Sequence, residues 1–554
     1  MPAVTPRGFR DILPTEALAR ERITGIVREC FSKHGYLPVE TPILEDRRLL
    51  SVGSRIEDSP FQLFDADGSL LMVRPDLTLP IARMVSSRMA ADDLPLRLRY
   101  SAPVVREESS LKGQPRQFTQ LGIEYYGNDD GDALPEVEVV SLLAETLEAL
   151  DVPAWRIVCG SVSPLKALLA HCSPSKEFKE GVLSYAHESD LVSLDDLVDS
   201  ADLSEPARLA LHQVPRMSGG SEVIARIDSL LQDAGVPEEE RGTQELERFV
   251  SALSELDAAG RLSFDFSIVN SFDYYTGIIF KGYAEGITAS IASGGRYDAV
   301  LANFGRPNVA SCGFALSLER LQEILGEQGE SGVVSSHVSL AERPLRIAVP
   351  KGSLFPDAVR VLGEAGLPTD KLQDLGRKLI VRDGDVEYVI VRAQDAPAFV
   401  AHGGADCGIC GYDSIFEANH DLIQLVDLRF GGCRFVVAEP RSKAGAAEDA
   451  YRWRGSVRVA TKYPRITQSY YDRIGQQVDI VQLHGNIELG PIVGMTDRLV
   501  DITATGTTLR ENDLVIVDEV MQCTARFFAG PAAYRYDGRI RSLAARLAQA
   551  VAKD

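Results

Sequence analysis

The sequence predicts a multidomain chain that combines α/β and α+β architecture. Its 554 residues are too many for a single core, and 45% of them are hydrophobic, as is typical of chains that pack into globular domains. The stretch 326–336 is rich in Gly, Ser and Glu and lacks apolar periodicity, which indicates a linker near 326–343. The apolar pattern differs on its two sides. We therefore expect two large units joined by this linker.

The elements on the two sides of the linker have different patterns. Between the start of the chain and the linker, strand signals and helix signals alternate irregularly. The first element is an amphipathic helix. Its apolar face consists of Ile23, Ile26, Val27, Cys30 and Phe31. After the linker, short β-branched runs alternate with helical stretches, which predicts parallel sheets.

Charge and hydropathy exclude several classes of function. The formal net charge is −22, whereas a nucleic-acid binder needs a basic surface to displace counterions from phosphates, so the balance argues against tRNA as a partner. No run of about eighteen apolar residues is present, and the N-terminus lacks a charged-then-apolar signal. We expect no membrane partner and a cytoplasmic location.

The eight cysteines are scattered among apolar neighbours, which favours reduced thiols over disulfides. Cys407 and Cys410 form a C-x-x-C motif, a spacing that also occurs in redox and zinc sites. No second pair and no nearby His-x-x-x-His accompanies the motif. We interpret these two cysteines as core residues and expect no metal site built by the protein.

The segment 501–508 has the parts needed to hold a phosphorylated ribose. It follows an apolar strand, and Gly506 lets the backbone approach an anion closely, while a helix expected to begin near Leu509 adds its positive dipole end. The carboxylate of Asp501 would repel a phosphate but accepts hydrogen bonds from two vicinal sugar hydroxyls. An ordinary strand-to-helix turn with Thr as N-cap is the alternative. The hydroxyl and N–H donors are Thr505, Thr507 and Thr508.

The part of the chain after the linker resembles the short form of ATP phosphoribosyltransferase, the first enzyme of histidine biosynthesis. The order and spacing of several fragments together carry the resemblance. These fragments are L-R-I-A-V-P-K-G-S-L (345–354), R-K-L-I-V (377–381), V-R-A-Q-D-A-P-A-F-V (391–400), G-A-D-C-G-I-C-G-Y-D (404–413), V-A-T-K-Y-P (459–464) and the 501–508 loop.

The resemblance implies a reaction and a fold. N1 of the ATP adenine would displace pyrophosphate from C1 of phosphoribosyl pyrophosphate, with Mg²⁺ held largely by substrate phosphates and water. The implied fold is a two-lobed α/β arrangement like periplasmic binding proteins, with substrate in the cleft. Lobe I would comprise about 344–440 plus 521–554, and lobe II about 455–520.

The resemblance also implies roles for particular residues. Arg377 and Arg392 are assigned to the pyrophosphate and leaving-group side, and Asp501 to the ribose hydroxyls. Solvated surface charge is the alternative for each cation. This chain departs from the family at Ser353, where an arginine is common, and at Tyr412, where a lysine is common. The other expected contacts to phosphoribosyl pyrophosphate are Lys351, Lys462, Glu488, Thr503, Ala504, Thr505, Gly506, Thr507 and Thr508.

The part before the linker resembles the catalytic core of class II histidyl-tRNA synthetase, which implies an antiparallel-sheet core. The fragments P-R-G-F-R-D-I-L-P (6–14), R-P-D-L-T (74–78), R-Q-F-T-Q-L-G-I-E (116–124), F-D-Y-Y-T-G (272–277), G-G-R-Y-D (294–298) and G-F-A-L-S-L-E-R-L (313–321) follow the family's order. By position, Arg106 and Arg320 match the two nucleotide-binding arginines. The residues that match the histidine pocket are Asp76, Gln120, Glu124, Tyr274 and Tyr275.

Two departures argue against synthetase activity. Asn270 stands where the family has an arginine that stabilises charge during amino-acid activation, and a neutral amide cannot replace a guanidinium there. Ser317 replaces a glycine that allows close approach of the nucleotide. The anticodon-binding domain expected after this core is also missing. The pattern resembles the regulatory subunit of the short-form transferase, a synthetase paralogue that makes its catalytic partner active and histidine-sensitive.

We therefore expect a fusion of regulatory and catalytic subunits: 1–325 regulatory, 326–343 linker and 344–554 catalytic. The expected partners are ATP, phosphoribosyl pyrophosphate and histidine as inhibitor, and the synthetase-like core implies a homo-oligomer, at least a dimer. Three alternatives stay open: an active histidyl-tRNA synthetase with an appended domain, a non-catalytic histidine-sensing module, and an inert first half that only holds the oligomer.

Overall fold

The structure is a computed structural model that describes residues 5–48, 61–106, 115–128, 134–172, 175–267, 275–326, 343–503 and 506–552. The chain divides into two compact units, Met1–Ser339 and Leu340–Asp554. The boundary between the units falls inside the stretch that composition marks as a linker. Each unit has its own sheets and its own hydrophobic core.

The first unit is built on a large, mainly antiparallel sheet. The strands are β1 (Leu37–Pro38), β2 (Leu44–Asp46), β3 (Gln62–Phe64), β4 (Leu70–Val73), β5 (Leu96–Val105), β6 (Gln117–Asn128), β7 (Arg156–Ser161), β8 (Ser218–Gly219), β9 (Leu262–Asp265), β10 (Ile278–Tyr283), β11 (Ala292–Arg296) and β12 (Val309–Ser317). Nine of them form one sheet in the order β1-β5-β6-β12-β11-β10-β7-β9-β8, and β2-β4-β3 form a small second sheet. The β1/β5 and β7/β9 pairs are parallel, and the other pairs are antiparallel.

Helices cover this sheet and extend from it. They are α1 (Pro14–Lys33), α2 (Thr78–Arg88), α3 (Pro135–Ala149), α4 (Ser163–Cys172), α5 (Lys176–His187), α6 (Leu191–Ser200), α7 (Glu205–Gln213), α8 (Glu222–Asp233), α9 (Thr243–Ala252), α10 (Ser254–Ala258), α11 (Asp298–Asn303) and α12 (Leu318–Gly326). In α1 a proline occupies the first turn, where its missing N–H costs nothing. The predicted apolar face is confirmed: Ile23, Val27, Cys30 and Phe31 are buried, and Ile26 packs against the same core.

The second unit contains two mixed sheets, and we call each sheet with its helices a lobe. The first lobe has the strands β13 (Leu345–Lys351), β14 (Ile380–Asp383), β15 (Val386–Arg392), β16 (Cys407–Gly411), β17 (Ile423–Asp427) and β23 (Ala525–Ala529), in the order β14-β15-β13-β16-β23-β17. The second lobe has β18 (Cys433–Pro440), β19 (Val457–Thr461), β20 (Val478–Gln482), β21 (Arg498–Thr503) and β22 (Leu514–Cys523), in the order β20-β19-β21-β18-β22.

The helices of the second unit follow strands in the order expected for crossover connections. They are α13 (Phe355–Glu364), α14 (Ala396–Ala401), α15 (Tyr412–Ala418), α16 (Ala446–Arg454), α17 (Pro464–Arg473), α18 (Leu489–Ile492), α19 (Thr507–Glu511), α20 (Pro531–Tyr536) and α21 (Gly538–Val551). The parallel pairs in the two sheets are β13 with β15 and β16, and β19 with β20 and β21. The remaining pairs are antiparallel, so the expectation of parallel sheets holds only for these strands.

The predicted boundary of the first lobe at about residue 440 is wrong. Strand β18 is hydrogen-bonded between β21 and β22 and therefore belongs to the second lobe, and β22 extends that lobe to Cys523. The chain thus crosses between the lobes twice, from β17 to β18 and from β22 to β23. An apolar strand carries no mark of the sheet it joins, because both sheets bury strands of similar composition.

Both ends of the second unit lie on its first lobe. Strand β13 opens the unit, and the last helix, α21, packs against α13 of the same lobe. Near the entry of the chain, the Arg343 guanidinium binds the Asp406 carboxylate through both of its terminal nitrogens, at 2.5 and 3.1 Å. The Arg343 carbonyl also accepts a hydrogen bond of 3.0 Å from Arg539 Nη1. The start and the end of the unit are therefore fastened to each other.

All eight cysteines lie within the described ranges and are free thiols. Cys407 and Cys410 are fully buried in β16, and burial raises the pKa of both thiols well above the ordinary value. They fill the core of the first lobe, as predicted. None of the helices in the described ranges is both long enough and apolar enough to span a membrane.

Candidate functional site

In the first lobe, cations meet at the carboxyl end of the parallel strands. Lys351 ends β13 and Arg392 ends β15, and the register places these two residues directly opposite each other. Arg377 lies three residues before β14, which runs antiparallel to β15, so it lies at the same end of the sheet. The side chains of all three residues are exposed. This edge therefore presents concentrated positive charge in a chain that is strongly acidic overall.

The second lobe has an equivalent edge with mixed charge. Lys462 follows β19 directly, and Asp501 lies in the adjacent parallel strand β21, where Thr461 is opposite Val500. Asp501 is predicted at a strand end, but β21 runs two residues beyond it, to Thr503. Lys462 and Asp501 thus lie side by side, Lys462 just after β19 and Asp501 in the adjacent strand β21.

The Asp501 carboxyl has an unusual proton affinity. Burial, with a smaller contribution from the nearby Glu488 carboxylate, raises its pKa to about 6. A hydrogen bond of 2.8 Å from Ile502 N and the positive charge of Lys462 act in the opposite direction. Glu488 itself is half-buried and immediately precedes α18. A carboxylate that is short of hydrogen-bond donors is suited to accept them from the hydroxyls of a ligand.

The turn after β21 differs in detail from the prediction. Its helix α19 begins at Thr507 and not near Leu509, and it has only five residues, so its dipole is smaller than expected. Gly506 has a φ of 71°, a left-handed conformation that favours glycine. Gly506 N donates a 2.8 Å hydrogen bond to Thr503 Oγ1, and Thr507 Oγ1 accepts one of 3.1 Å from Arg510 Nη2. The predicted contacts Ala504 and Thr505 lie outside the described residues, and Thr508 is exposed.

Three residues that sequence reasoning did not select lie between the two edges. Tyr463, next to Lys462, shares a side-chain hydrogen bond with Gln394, so it joins the second lobe to the first. Asp413, the first-turn acid of α15, is buried, which raises its pKa, and the charge of Lys462 opposes that shift. Each of the three residues lies two positions after the end of an apolar strand, and this position is the signal that could have identified them.

Tyr412 stands where the family commonly has a lysine, and its ring packs against neighbouring side chains. The Arg526 guanidinium lies over the Tyr412 ring, 4.6 Å from its centroid, and the Phe416 ring is 6.2 Å away in an edge-to-face arrangement. The ring is therefore used in the contact between the strands and α15.

A second cluster of polar groups is buried in the first unit. Glu124 on β6 accepts a 2.8 Å hydrogen bond from Thr78 Oγ1 and another from the Tyr297 hydroxyl. Burial raises the pKa of Glu124 well above the ordinary value, and the neighbouring Asp76 carboxylate raises it further. Burial also raises the pKa of Asp76, against the effect of a 3.1 Å hydrogen bond from Leu79 N and of the Arg106 charge. Two acids thus share one poorly hydrated region.

The other predicted pocket residues lie around these two acids. Gln120 is buried, and its Oε1 atom has no hydrogen-bond partner within the described part of the chain. Arg106 donates a 2.9 Å hydrogen bond to the Pro75 carbonyl, and its guanidinium lies 5.1 Å from the Phe118 ring centroid. The Tyr275 ring is 6.2 Å from that of Tyr297. Tyr274 and Asn270 lie outside the described residues.

The sequence reasoning missed Thr78 and Tyr297 in this pocket, although both belong to fragments that carry the resemblance. Arg320 donates a 2.5 Å hydrogen bond from Nη1 to the Ser290 carbonyl. Its backbone N–H lies 3.5 Å from the hydroxyl of Ser317, the residue that stands where the family has a glycine.

Comparisons with known proteins assign the two units to families. The family model of histidyl-tRNA synthetase matches residues 8–321, and that of ATP phosphoribosyltransferase matches residues 392–549. Lys351 and Arg377 precede the second match, and Arg392 is its first residue.

Relatives of each unit cover most of their own length. The ATP phosphoribosyltransferase of Rubrobacter xylanophilus is 49% identical over 35% of this chain and 89% of its own. The ATP phosphoribosyltransferase regulatory subunit of Moorella thermoacetica is 34% identical over 61% of this chain and 86% of its own.

A solved structure agrees with these assignments. It is an ATP phosphoribosyltransferase regulatory subunit/histidyl-tRNA synthetase from Bacillus halodurans, and it matches with a TM-score of 0.54 and 26% identity, over 71% of this chain and 99% of that one. Both resemblances found in the sequence are confirmed. The second unit therefore belongs to the ATP phosphoribosyltransferase family. The first unit belongs to the histidyl-tRNA synthetase family, and its relatives there include regulatory subunits of the transferase.

Proposed function

We propose that the chain transfers the phosphoribosyl group of phosphoribosyl pyrophosphate to N1 of the ATP adenine, and that histidine acts on its first unit to inhibit this reaction. The observation that carries the proposal is the pairing of functional residues at parallel strand ends: Lys351 beside Arg392 in one lobe, and Lys462 beside Asp501 in the other. The proposal also rests on family membership of both units.

The electrostatic demand of the reaction matches these two edges. As N1 attacks C1 and pyrophosphate leaves, positive character develops on C1 and negative charge on the leaving oxygens. Arg377 and Arg392, with Lys351, are suited to hold the pyrophosphate, since guanidinium groups bind phosphate oxygens in a bidentate manner. Asp501 accepts hydrogen bonds from the ribose hydroxyls, and the 503–508 turn binds the 5-phosphate. The phosphate has to displace the Thr503 hydroxyl from Gly506 N.

Mg²⁺ would be carried into the site mainly by the substrate phosphates, whose charge it neutralises. No cluster of three or more His, Cys, Asp or Glu side chains able to hold a metal ion occurs in the described ranges. Asp501 and Glu488 are near enough for their charges to interact. Their carboxylate oxygens are the kind of ligand that Mg²⁺ prefers. These two residues would supply the protein's share of the coordination.

We propose that the two lobes close over the substrates as in periplasmic binding proteins. Closure brings the cation-rich edge to the Asp501 edge and excludes water, which limits hydrolysis of phosphoribosyl pyrophosphate. The contact from Gln394 to Tyr463 already spans the two edges.

The buried acids of the first unit support a site for histidine. Burial is the main cause of the raised pKa values of Asp76 and Glu124. A nearby cation would stabilise the charged form of either carboxylate. The α-ammonium group of histidine is such a cation, and Gln120 Oε1 offers an acceptor for an imidazole N–H. A ligand that binds one arrangement of the chain more tightly than another shifts the population between them.

Other features of the proposal concern surroundings and assembly. The eight free thiols favour a reducing compartment, the cytoplasm. The synthetase-like first unit favours a homo-oligomer of at least two chains. Its departure at Asn270 and the net charge of −22 argue against tRNA as a substrate.

The proposal is tested by measuring phosphoribosyl-ATP formation from ATP, phosphoribosyl pyrophosphate and Mg²⁺ with the intact chain across a histidine titration. Two variants are assayed alongside. Asp501→Ala should abolish most turnover, whereas Gln120→Met should turn over normally but require roughly tenfold more histidine for inhibition, since it lacks the acceptor.

The possible outcomes separate the parts of the proposal. Turnover without any response to histidine would reject the regulatory part alone. Histidine binding without turnover would favour a sensing module. Histidine-dependent exchange of pyrophosphate into ATP would instead indicate synthetase activity.

A further inference from the structure

Helix α17 begins without a cap of its own. Its N-cap residue is Tyr463, which makes no side-chain hydrogen bond to the helix, and Pro464 occupies the first position. The first backbone N–H groups of a helix have no partner inside it, and a proline removes one of them. The N–H groups of Arg465 and Ile466 therefore require an acceptor from elsewhere.

That acceptor comes from the other lobe. Glu417, on α15 of the first lobe, accepts hydrogen bonds from Arg465 N through Oε1 and from Ile466 N through Oε2, both 3.1 Å long. The carboxylate is half-buried, and burial raises its pKa while the two N–H groups act in the opposite direction. A charged acceptor at a helix N-terminus also interacts favourably with the helix dipole.

Side chains next to this contact join the same two helices. The Arg465 guanidinium lies 5.8 Å from the centroid of the Phe416 ring, and the Phe416 ring contacts Tyr412 on its own helix. Helices α15 and α17 pack against each other. The cap is therefore one part of an interface between the two lobes and not an isolated pair.

The capped turn carries a residue of the proposed substrate site. Lys462 lies two residues before α17 begins, and Thr461 Oγ1 accepts a 3.0 Å hydrogen bond from Tyr463 N, which holds the turn from the strand side. On the helix side, the N–H groups nearest this turn are held by Glu417. A shift of the start of α17 would therefore move the Lys462 side chain.

We propose that Glu417 is a positioning residue: it caps α17 from the opposite lobe and thereby holds Lys462 in place to bind phosphoribosyl pyrophosphate. The inference rests on the proposed function of the second unit. It assigns no contact between Glu417 and a substrate. It also makes the position of Lys462 depend on the contact between the lobes.

Steady-state kinetics of three full-length variants tests the proposal. In Glu417→Ala, KM for phosphoribosyl pyrophosphate should rise roughly tenfold, with kcat and KM for ATP within about threefold of the unaltered chain. Glu417→Gln keeps one acceptor and should give an intermediate value. Glu364→Gln makes the same change on α13, where Glu364 pairs with the exposed Arg360 one turn away, and should leave all constants unchanged.

Amide hydrogen exchange gives a readout that does not depend on turnover. The amides of Arg465 and Ile466 should exchange faster in Glu417→Ala than in the unaltered chain, and those of β21 should not change. A melting temperature that falls while KM for phosphoribosyl pyrophosphate stays constant would show a purely structural cap and overturn the proposal. Unchanged exchange at both amides would overturn it as well. If the unaltered chain did not turn over, the proposed function would fail, and the exchange result would still test the cap.

Discussion

The carboxyl group of Asp501 shows how a residue proposed to bind substrate can weaken the fold that carries it. Its pKa is raised from 3.8 to about 6, mainly by burial. The folded protein therefore binds this proton more tightly than the unfolded chain does. The carboxyl group therefore adds to the free energy of unfolding below about pH 4, where it is protonated. This contribution is lost as the pH rises through about 6 and the group becomes charged. At neutral pH the side chain is charged and costs stability.

The variant Asp501→Asn should separate stability from activity. The amide keeps an acceptor for Ile502 N but carries no charge, so above pH 6 the free energy of unfolding should rise by roughly 1–2 kcal/mol. The gain should vanish near pH 4. Turnover should fall about 100-fold, because an amide is a weaker acceptor for ribose hydroxyls. Denaturant unfolding across this pH range and turnover assays measure both effects.

Asp449→Asn provides the control, since Asp449 is an exposed carboxylate in the same lobe that pairs with the equally exposed Arg452 at 3.4 Å. It should change neither quantity. Equal stability of Asp501→Asn and the unaltered chain at pH 8 would contradict the charge argument.

At the level of residues, the sequence predicted those that stand next to recognisable fragments, such as Arg392 and Asp501. It did not predict Glu417 or Gln394, because their partners are a helix terminus and a tyrosine far along the chain. A surface glutamate on a short helix looks the same in sequence whether or not it reaches another lobe.

At the scale of elements, the turn between β21 and α19 combines a conformational requirement with a steric one. Gly506 adopts a φ of +71°, and a Cβ added there would meet Arg510 Nη1 at 3.4 Å, an ordinary contact distance. The glycine is therefore required by its backbone conformation, and crowding by neighbouring side chains plays little part.

Replacing this glycine should affect stability and substrate binding together. Gly506→Ala should lower the free energy of unfolding by about 1 kcal/mol and raise KM for phosphoribosyl pyrophosphate roughly tenfold, because the methyl group keeps the phosphate from the backbone. Gly475→Ala is the matched control: its φ is +68°, and no atom lies within 4 Å of the added Cβ. That variant should lose similar stability and keep a normal KM. Equal KM values in the two variants would argue against phosphate binding at this turn.

The elements also show where sequence reasoning stops. Parallel strands and their order of appearance could be predicted from β-branched runs separated by helices. The membership of β18 in the second sheet could not, since sheet membership is decided by pairing between strands that are distant in sequence. The start of α19 was misplaced by two residues because Thr507 and Thr508 suit both a cap and a first helical turn.

At the scale of the whole molecule, the chain holds two units that each bury a core of their own. A covalent link between two such units raises the effective concentration of one around the other. Histidine sensitivity should therefore not depend on dilution as long as the link is intact.

Introducing a protease site into 327–342 and cutting it tests this expectation. The cut protein should remain folded, with both fragments resisting further digestion, because the cores lie on either side of the cut. Diluted to nanomolar concentration, it should lose inhibition by histidine together with any activation that the first unit provides, while the intact chain keeps both. Inhibition that survives in the isolated second fragment would place the histidine site there.

The fastening of both ends of the second unit to its first lobe determines where the linker attaches. The linker enters the second unit at Arg343, whose carbonyl accepts a hydrogen bond from Arg539 of the final helix. The linker is therefore connected to the lobe that carries both ends of the unit. The chain reaches the second lobe only through the two crossings, so the linker is covalently attached to the first lobe alone. Because both units lie in one polypeptide, translation produces them in a fixed ratio of one to one. The cell therefore cannot make a catalytic unit without a regulatory unit.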